Sequence, residues 1–404
     1  MIFRDLSLLP GLVATGLLAT AAVCGAQTPD PAPPGTLTLG PLTLTPGLLV
    51  RDVGVDDNVF NQDVNPKHDV TFTLTPKADV TFRMRRLRVG YNTTTDYVYY
   101  RTYASERGVN SSSSARLDVD LASLKPYVSV TGVNTKARLN SEVDARARHH
   151  DLTYAAGTAV QLFSRTHLLV NGTQTTVRFD PDAEFRGVDL QQSFDGVRRS
   201  VDGGVSIDLT PLTSFSVLVA REWQRFDLSP DRNSETWRVS PTVTFSPEGL
   251  LTGRASVGFR RFRGASPTVP DYSGLVAAVA VGATIYSRNQ VQATFNRDVQ
   301  YSYELATPYF VGTGGQVTWT MLLAGPIDVR GTVQRTLMHY RSAMLTPAAD
   351  RLMTYGGGIC YRFTAARARL GINAEWARRD SDQSATRGYR KHRIFAGLSW
   401  GTLQ

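Results

Sequence analysis

The feature that most restricts this chain is the alternation over residues 69–83, DVTFTLTPKADVTFR. On an extended backbone Val70, Phe72, Leu74, Pro76, Ala78, Val80 and Phe82 share one face, and Asp69, Thr71, Thr73, Thr75, Lys77, Asp79, Thr81 and Arg83 share the other. Soluble sandwich strands hold such a pattern for about 4–8 residues. A tilted strand crosses a bilayer in about 9–11 residues, and this one runs further. Later segments repeat it. In residues 237–245, Trp237, Val239, Val243 and Phe245 alternate with Arg238, Ser240, Thr242 and Thr244. In residues 290–303, Val291, Ala293, Phe295, Val299, Tyr301 and Tyr303 oppose Gln292, Thr294, Asn296, Asp298 and Gln300. Residues 369–379 set Leu370, Ile372, Ala374 and Trp376 against Arg369, Asn373, Glu375 and Arg379. The fold class is therefore all-β, a transmembrane antiparallel up-and-down β-barrel with lipid outside and water inside.

Short turns at 85–86, 124–125, 164–165, 212–213, 247–249, 287–289, 324–326 and 364–366 alternate with longer polar loops. Those loops lie at 56–68, 103–110, 140–150, 181–194, 229–233, 264–271, 304–310, 342–349 and 381–389. Together they predict eighteen strands, with sixteen the next admissible count, and both termini on the short-turn, periplasmic side. A mean hydropathy of −0.19 suits a barrel with a wet lumen. Residues 1–26 read as a signal peptide: Arg4, an apolar run from 8 to 23, then Cys24, Gly25 and Ala26. Lipidation of Cys24 is disfavoured, because Val23 stands where a small residue is wanted. Residues 27–42 form a Pro-rich periplasmic tether and 43–404 the barrel. With Cys24 removed, Cys360 is the one remaining cysteine, read as a small strand residue.

Aromatic residues fall near strand ends, as interfacial girdles require. Tyr97, Tyr99, Tyr103, Trp223, Tyr301, Tyr303, Tyr309, Tyr340 and Trp376 are expected at the outer edge, and Phe163, Phe215, Phe245, Tyr286, Phe363 and Trp400 at the inner. Pro76 cannot donate a ladder bond, so a local bulge is expected there.

The inward face carries Arg83, Arg88, Arg116, Arg238, Arg254, Arg260, Arg330, Arg369 and Arg393, with Asp96, Asp118, Asp298, Asp328 and Glu375. These are the pore-lining candidates. An excess of positive charge steers anions inward; alternatively, the arginines pair with the acids and stiffen the wall. Arg221, Arg297 and Arg335 fall on the apolar face. They read as outer-rim contacts to lipopolysaccharide phosphates, or as sites where a bulge turns the strand.

No catalytic set, cofactor fingerprint or metal spacing is singled out. His149 and His150 read as exposed loop histidines. Basic residues spread round a barrel do not make a nucleic-acid stripe.

Asp56-Asp57-Asn58-Val59-Phe60 in the first loop, Asp69 opening the second strand, and Thr73-Leu74-Thr75-Pro76 within it resemble the β-barrel porin type 2 family. The resemblance implies an outer-membrane barrel, a transport role and an association with polysaccharide production, and carries over no catalytic residues. The chain departs from outer-membrane barrels generally in that residues 401–404 follow Trp400, so it does not end on an aromatic. The expected function is an outer-membrane channel passing small anionic solutes or an acidic exopolysaccharide. The alternative is a non-conducting barrel binding surface polysaccharide or partners. Expected partners are outer-membrane lipid and lipopolysaccharide, the barrel-assembly machinery, and a polysaccharide or periplasmic export component.

Overall fold

A computed structural model describes residues 36–363 and 367–401 of the chain. The signal peptide, most of the tether and the turn at 364–366 lie outside the described residues. Eighteen strands of 12 to 16 residues run from Leu42–Asp56 to Tyr389–Gly401, each antiparallel to its neighbours. The last strand pairs with the first, from Gly47↔Gly401 to Asp56↔Arg393, so the sheet closes. A nineteenth short segment, Leu37–Leu39 at the end of the tether, folds back on Leu42–Leu44 through Gly40, whose φ is +59°. It covers the part of the first strand that extends below the closing pair.

Exposure shows which face looks where. On the second strand, Asp69–Met84, Val70 and Phe72 are exposed while Thr71, Thr73 and Thr75 are buried. Trp237, Phe259, Ile372 and Trp376 are likewise exposed on other strands, whereas Arg260, Gln334 and Thr336 are buried. The protein is inside-out relative to a soluble domain, as lipid demands. Of the short turns, the one expected at 124–125 lies earlier, at 120–123, because a Leu121↔Leu124 bridge closes it.

The bulge is not at Pro76. Pairing with the third strand, Leu87–Tyr100, resumes at Lys77↔Thr94 in the same register it had at Leu74↔Tyr97. The proline simply forgoes part of the ladder, and Thr75 Oγ1 bridges that gap by donating to Asp96 at 2.6 Å. The register shifts instead on the first strand, between Val50 and Val53, where Asp52 has φ 57°. This bulge turns both Arg51 and Asp52 into the lumen, where they meet Asp96 and Arg393, and keeps Val53 and Val55 toward lipid. Two residues on, a Cβ at Gly54 would overlap the Ile394 carbonyl oxygen of the last strand.

Gly54→Val is therefore expected to push the closing strands apart and to destabilise the barrel by about 1–3 kcal/mol. Gly90→Ala, where a Cβ meets nothing within 4 Å, is expected to be near neutral. Heat-modifiable electrophoretic mobility of the refolded variants measures both.

Candidate functional site

The lumen is the one interior the closed sheet encloses, and loops from the long-loop end fold into it. Residues 136–148 join the fifth strand, Leu124–Thr135, to the sixth, His149–Phe163. On the near side, Arg138 and Asn61 anchor this loop. Arg138 Nη2 donates to the Val59 carbonyl at 2.8 Å, and Asn61 Nδ2 donates to Asp144 Oδ1 at 2.9 Å. On the far side Arg379 Nη1, from the seventeenth strand Ala368–Ser381, reaches Asp144 at 2.7 Å. Ser302 Oγ and the Tyr303 amide, from the loop after the thirteenth strand, donate to the Glu142 carboxylate at 2.6 and 3.2 Å. A segment leaving strands five and six can touch a loop eight strands away only by crossing the mouth.

The partner hairpin also bends inward. Its ladder with the twelfth strand, Tyr272–Ile285, stops at Ala277↔Arg297. Above that level Val299, Tyr301, Tyr309 and Val311 leave the wall and pack with Phe262 and Val269. The Tyr301 hydroxyl bonds Ser234, on the lumen face of the tenth strand. Residues 302–308 are then held by Arg232, which donates to the Ser302 and Pro308 carbonyls at 2.5 and 3.0 Å. Ser193 Oγ donates to the Tyr303 carbonyl at 2.7 Å, and Arg387 Nη2 donates to the Tyr303 hydroxyl at 2.8 Å. Six loops thus converge on one roof.

The outer-girdle assignment changes accordingly. Tyr97, Tyr99 and Trp376 are exposed on the outer wall, but Tyr301, Tyr303, Tyr309 and Tyr340 belong to the roof or the lumen. Strand periodicity places a side chain on a face; it cannot report that the strand leaves the wall. His149 is also buried, stacked on Phe179 at 4.9 Å, while His150 stays half exposed.

Beneath the roof lies a cavity of about 460 Å³ between the first five strands and the last five. Arg330, Glu375 and Arg393, three of the sequence candidates, line it. So do Arg51, Lys391, Lys136, Arg138 and Arg146, which strand alternation alone did not single out. Three of these are on the roof loop and one sits at the bulge, where counting by twos fails; Lys391 was legible on the inward face of the last strand. Seven cationic and six acidic side chains face this cavity.

The remaining candidates sit elsewhere in the barrel. Arg83 is exposed at the short-turn rim, opposite Arg88 in the ladder. Arg116 bonds Asp118 and lies over the Tyr127 ring at 3.8 Å. Arg260 holds Asp298 at 2.6 Å and Glu222 at 3.1 Å, with Arg238 3.9 Å from Asp298. Arg254 is part-buried lower on the same strand as Arg260, Leu251–Gly264. Arg369 and Arg362 both pair with Asp328. Each of the five inward acids has an arginine beside it, including Asp96 with Arg51 and Glu375 with Arg393. No register shift accompanies Arg221, Arg297 or Arg335, so all three stay on the outer wall. Arg297 is committed to the Leu275 carbonyl and Thr313 hydroxyl, at 3.2 and 3.0 Å, where the ladder splits.

The motif residues of the first loop are anchors. Asp56 pairs with Lys391 at 2.7 Å, Asn58 ties Gln62 to Arg390, and the buried Val59 offers its carbonyl to Arg138. Asp69 accepts from the Thr102 and Tyr103 amides of the next loop.

A profile of the family described as Putative beta-barrel porin 2 matches residues 30–400. Among solved structures, the fold is similar to Pseudomonas aeruginosa OccK2 (OpdF). That porin is 11% identical, with 89% of this chain and 98% of that chain covered, at a TM-score of 0.52. The same porin in complex with glucuronate matches at 11% identity over the same shares, TM-score 0.51. Pseudomonas aeruginosa OccK9 (OpdG) matches at 12%, covering 89% and 98%, with a TM-score of 0.50. At such identities the likeness is one of fold. A search of curated proteins gave no match.

The junction of the roof is pH-sensitive by construction. Burial, opposed by the Ser302 and Tyr303 bonds and by Arg387 and Arg379, raises the Glu142 carboxyl from 4.5 to about 7. A carboxyl whose pKa rises on docking takes up a proton as the loops meet. The Glu142 contribution to docking is therefore fully present below about 4.5 and is lost as pH rises through about 7. The window is worth about 3 kcal/mol. Amide exchange in residues 302–308, corrected for its intrinsic pH dependence, is expected to be slower at pH 5 than at pH 8. Glu142→Gln is expected to flatten that response.

Proposed function

Because the chain belongs to the Putative beta-barrel porin 2 family, a bacterial outer-membrane porin family, we propose that this porin-like channel passes small anionic solutes one at a time through its roofed lumen. The observation that carries the reading is the cavity of about 460 Å³, walled by charged side chains of both signs with a slight cationic excess. That volume falls within the range of about 300–1,000 Å³ over which pockets enclose one small molecule. Its wall guanidiniums come from nearby strands, Arg51 and Arg393 at the closing pair and Arg330 three strands further round, with Thr71, Thr73, Thr332 and Thr354 lining the same space. A carboxylate or phosphate exchanges into such a lattice of paired charges without leaving any arginine unpaired, while a neutral solute offers nothing in return. The excess is small because acids accompany the arginines, so the expected selectivity is modest. OccK2 has been crystallised with glucuronate, and a sugar acid of that size is the natural first probe here. The docked roof favours a small solute over a continuous polysaccharide strand.

Single-channel recording in a planar bilayer under a salt gradient is the test. An open conductance is expected, with a reversal potential favouring the anion and a current reduced by millimolar glucuronate. Arg330→Glu is expected to shift the preference toward cations. A silent barrel, correctly folded by heat-modifiable mobility, would instead support a non-conducting scaffold.

A further inference from the structure

The outer wall carries a second charged feature that conduction does not use. On four adjacent strands, Gly196–Thr210, Thr213–Phe226, Ser234–Phe245 and Leu251–Gly264, the lipid-facing side chains near the long-loop end form two rows. One row reads Val201, Arg221, Trp237, Arg261; the next, toward the loops, reads Arg199, Trp223, Glu235, Arg263. Arg225 stands two residues above Trp223. Five guanidiniums therefore share one carboxylate. Glu235 is 3.1 Å from Arg221 and 3.7 Å from Arg225, and Arg221 is sandwiched by the Trp223 and Trp237 rings at 4.9 and 5.2 Å. Arg261 and Arg263 are exposed and make no hydrogen bond or ion pair among the described residues.

An arginine facing hydrocarbon costs about 2–4 kcal/mol at the midplane and close to nothing at the interface. Arg261 and Arg263 lie within about 10 Å of the end of their strand at about 3.3 Å per residue. Directly below come Val219, Val239, Val257 and Phe259, all exposed. The patch thus offers an anion-binding upper half bordered by indoles and an acyl-binding lower half. Neighbouring strands are about 4.8 Å apart and successive outward residues about 6.6 Å apart. Arg221, Arg261 and Arg263 are therefore spaced for one phosphate to bridge them, and Arg199 for a second phosphate on the same headgroup.

We propose that this patch is a binding site for a phosphorylated glycolipid of the outer leaflet, its phosphates held by Arg221, Arg261 and Arg263 and its acyl chains lying on Val219, Val239 and Phe259. The site faces lipid, so it stands whether or not the barrel conducts.

Native mass spectrometry of the full barrel, released from detergent with bis-phosphorylated lipid A or with its phosphatase-treated form, tests the assignment. The wild-type protein is expected to retain the phosphorylated form about tenfold better, the scale of one or two charge-assisted hydrogen bonds. An R261Q/R263Q variant is expected to lose that advantage. R351Q, an outward arginine elsewhere that pairs with Asp382, is expected to keep it. Equal retention of both lipids by the wild type overturns the proposal. So does undiminished retention by R261Q/R263Q, or full displacement by millimolar inorganic phosphate, which would mark a simple anion site. The comparison of the two lipids on the wild type requires no variant to fold.

Discussion

The hydrogen-bonded seam between the first and last strands is the interaction on which the rest of this structure depends. In hydrocarbon no water satisfies a free backbone edge, so a sheet that failed to close would leave a row of donors and acceptors exposed to lipid. The seam is also where the ladder is least regular. A bulge at Asp52 interrupts it, and Gly54 lets the last strand approach closer than any side chain would permit. The extra residue restores outward parity for Val53 and Val55 after Arg51 and Asp52 have both turned inward.

That local irregularity reaches the lumen directly. Arg51 and Asp52 are consecutive, yet both face water, and they bind Asp96 of the third strand and Arg393 of the last. The seam is thereby fastened from inside by charge as well as along the wall by backbone. Asp56, at the top of the first strand, extends the same lattice to Lys391 and Arg393. The loop that follows it supplies the Val59 carbonyl on which the roof rests. Closure, cavity wall and roof support therefore share one short stretch of chain.

Much of this was legible in the alternation of residues such as Thr71, Thr73 and Thr75 with Val70 and Phe72. Lipid on one side and water on the other impose a two-residue period on every strand, and the period survives without any knowledge of neighbours. The eighteen strands and the inward setting of Arg330, Glu375 and Arg393 follow from it. What the period cannot carry is a change of environment at constant parity. Tyr301 and Tyr309 keep the parity of Phe295 and Val317 but leave the wall above Arg297, so their outward face meets Phe262 instead of lipid. Pro76 misleads for the opposite reason: one missing donor can be absorbed in an unshifted ladder when a side chain such as Thr75 bridges the gap.

The charge pattern is governed by the same economy of burial. Arginines on the lumen face come with acids because a buried guanidinium without a partner is far more costly than a paired one. Arg260 with Asp298 and Glu222, and Arg369 with Asp328, show this away from the cavity. The outer wall follows a different rule. There the five arginines around Trp223 and Trp237 have a single acid between them, at a level of the wall where an arginine left unpaired costs close to nothing. A barrel built from one repeating strand pattern thus carries two electrostatic regimes. The inner one is nearly balanced by its own side chains, and the outer one keeps an excess of positive charge.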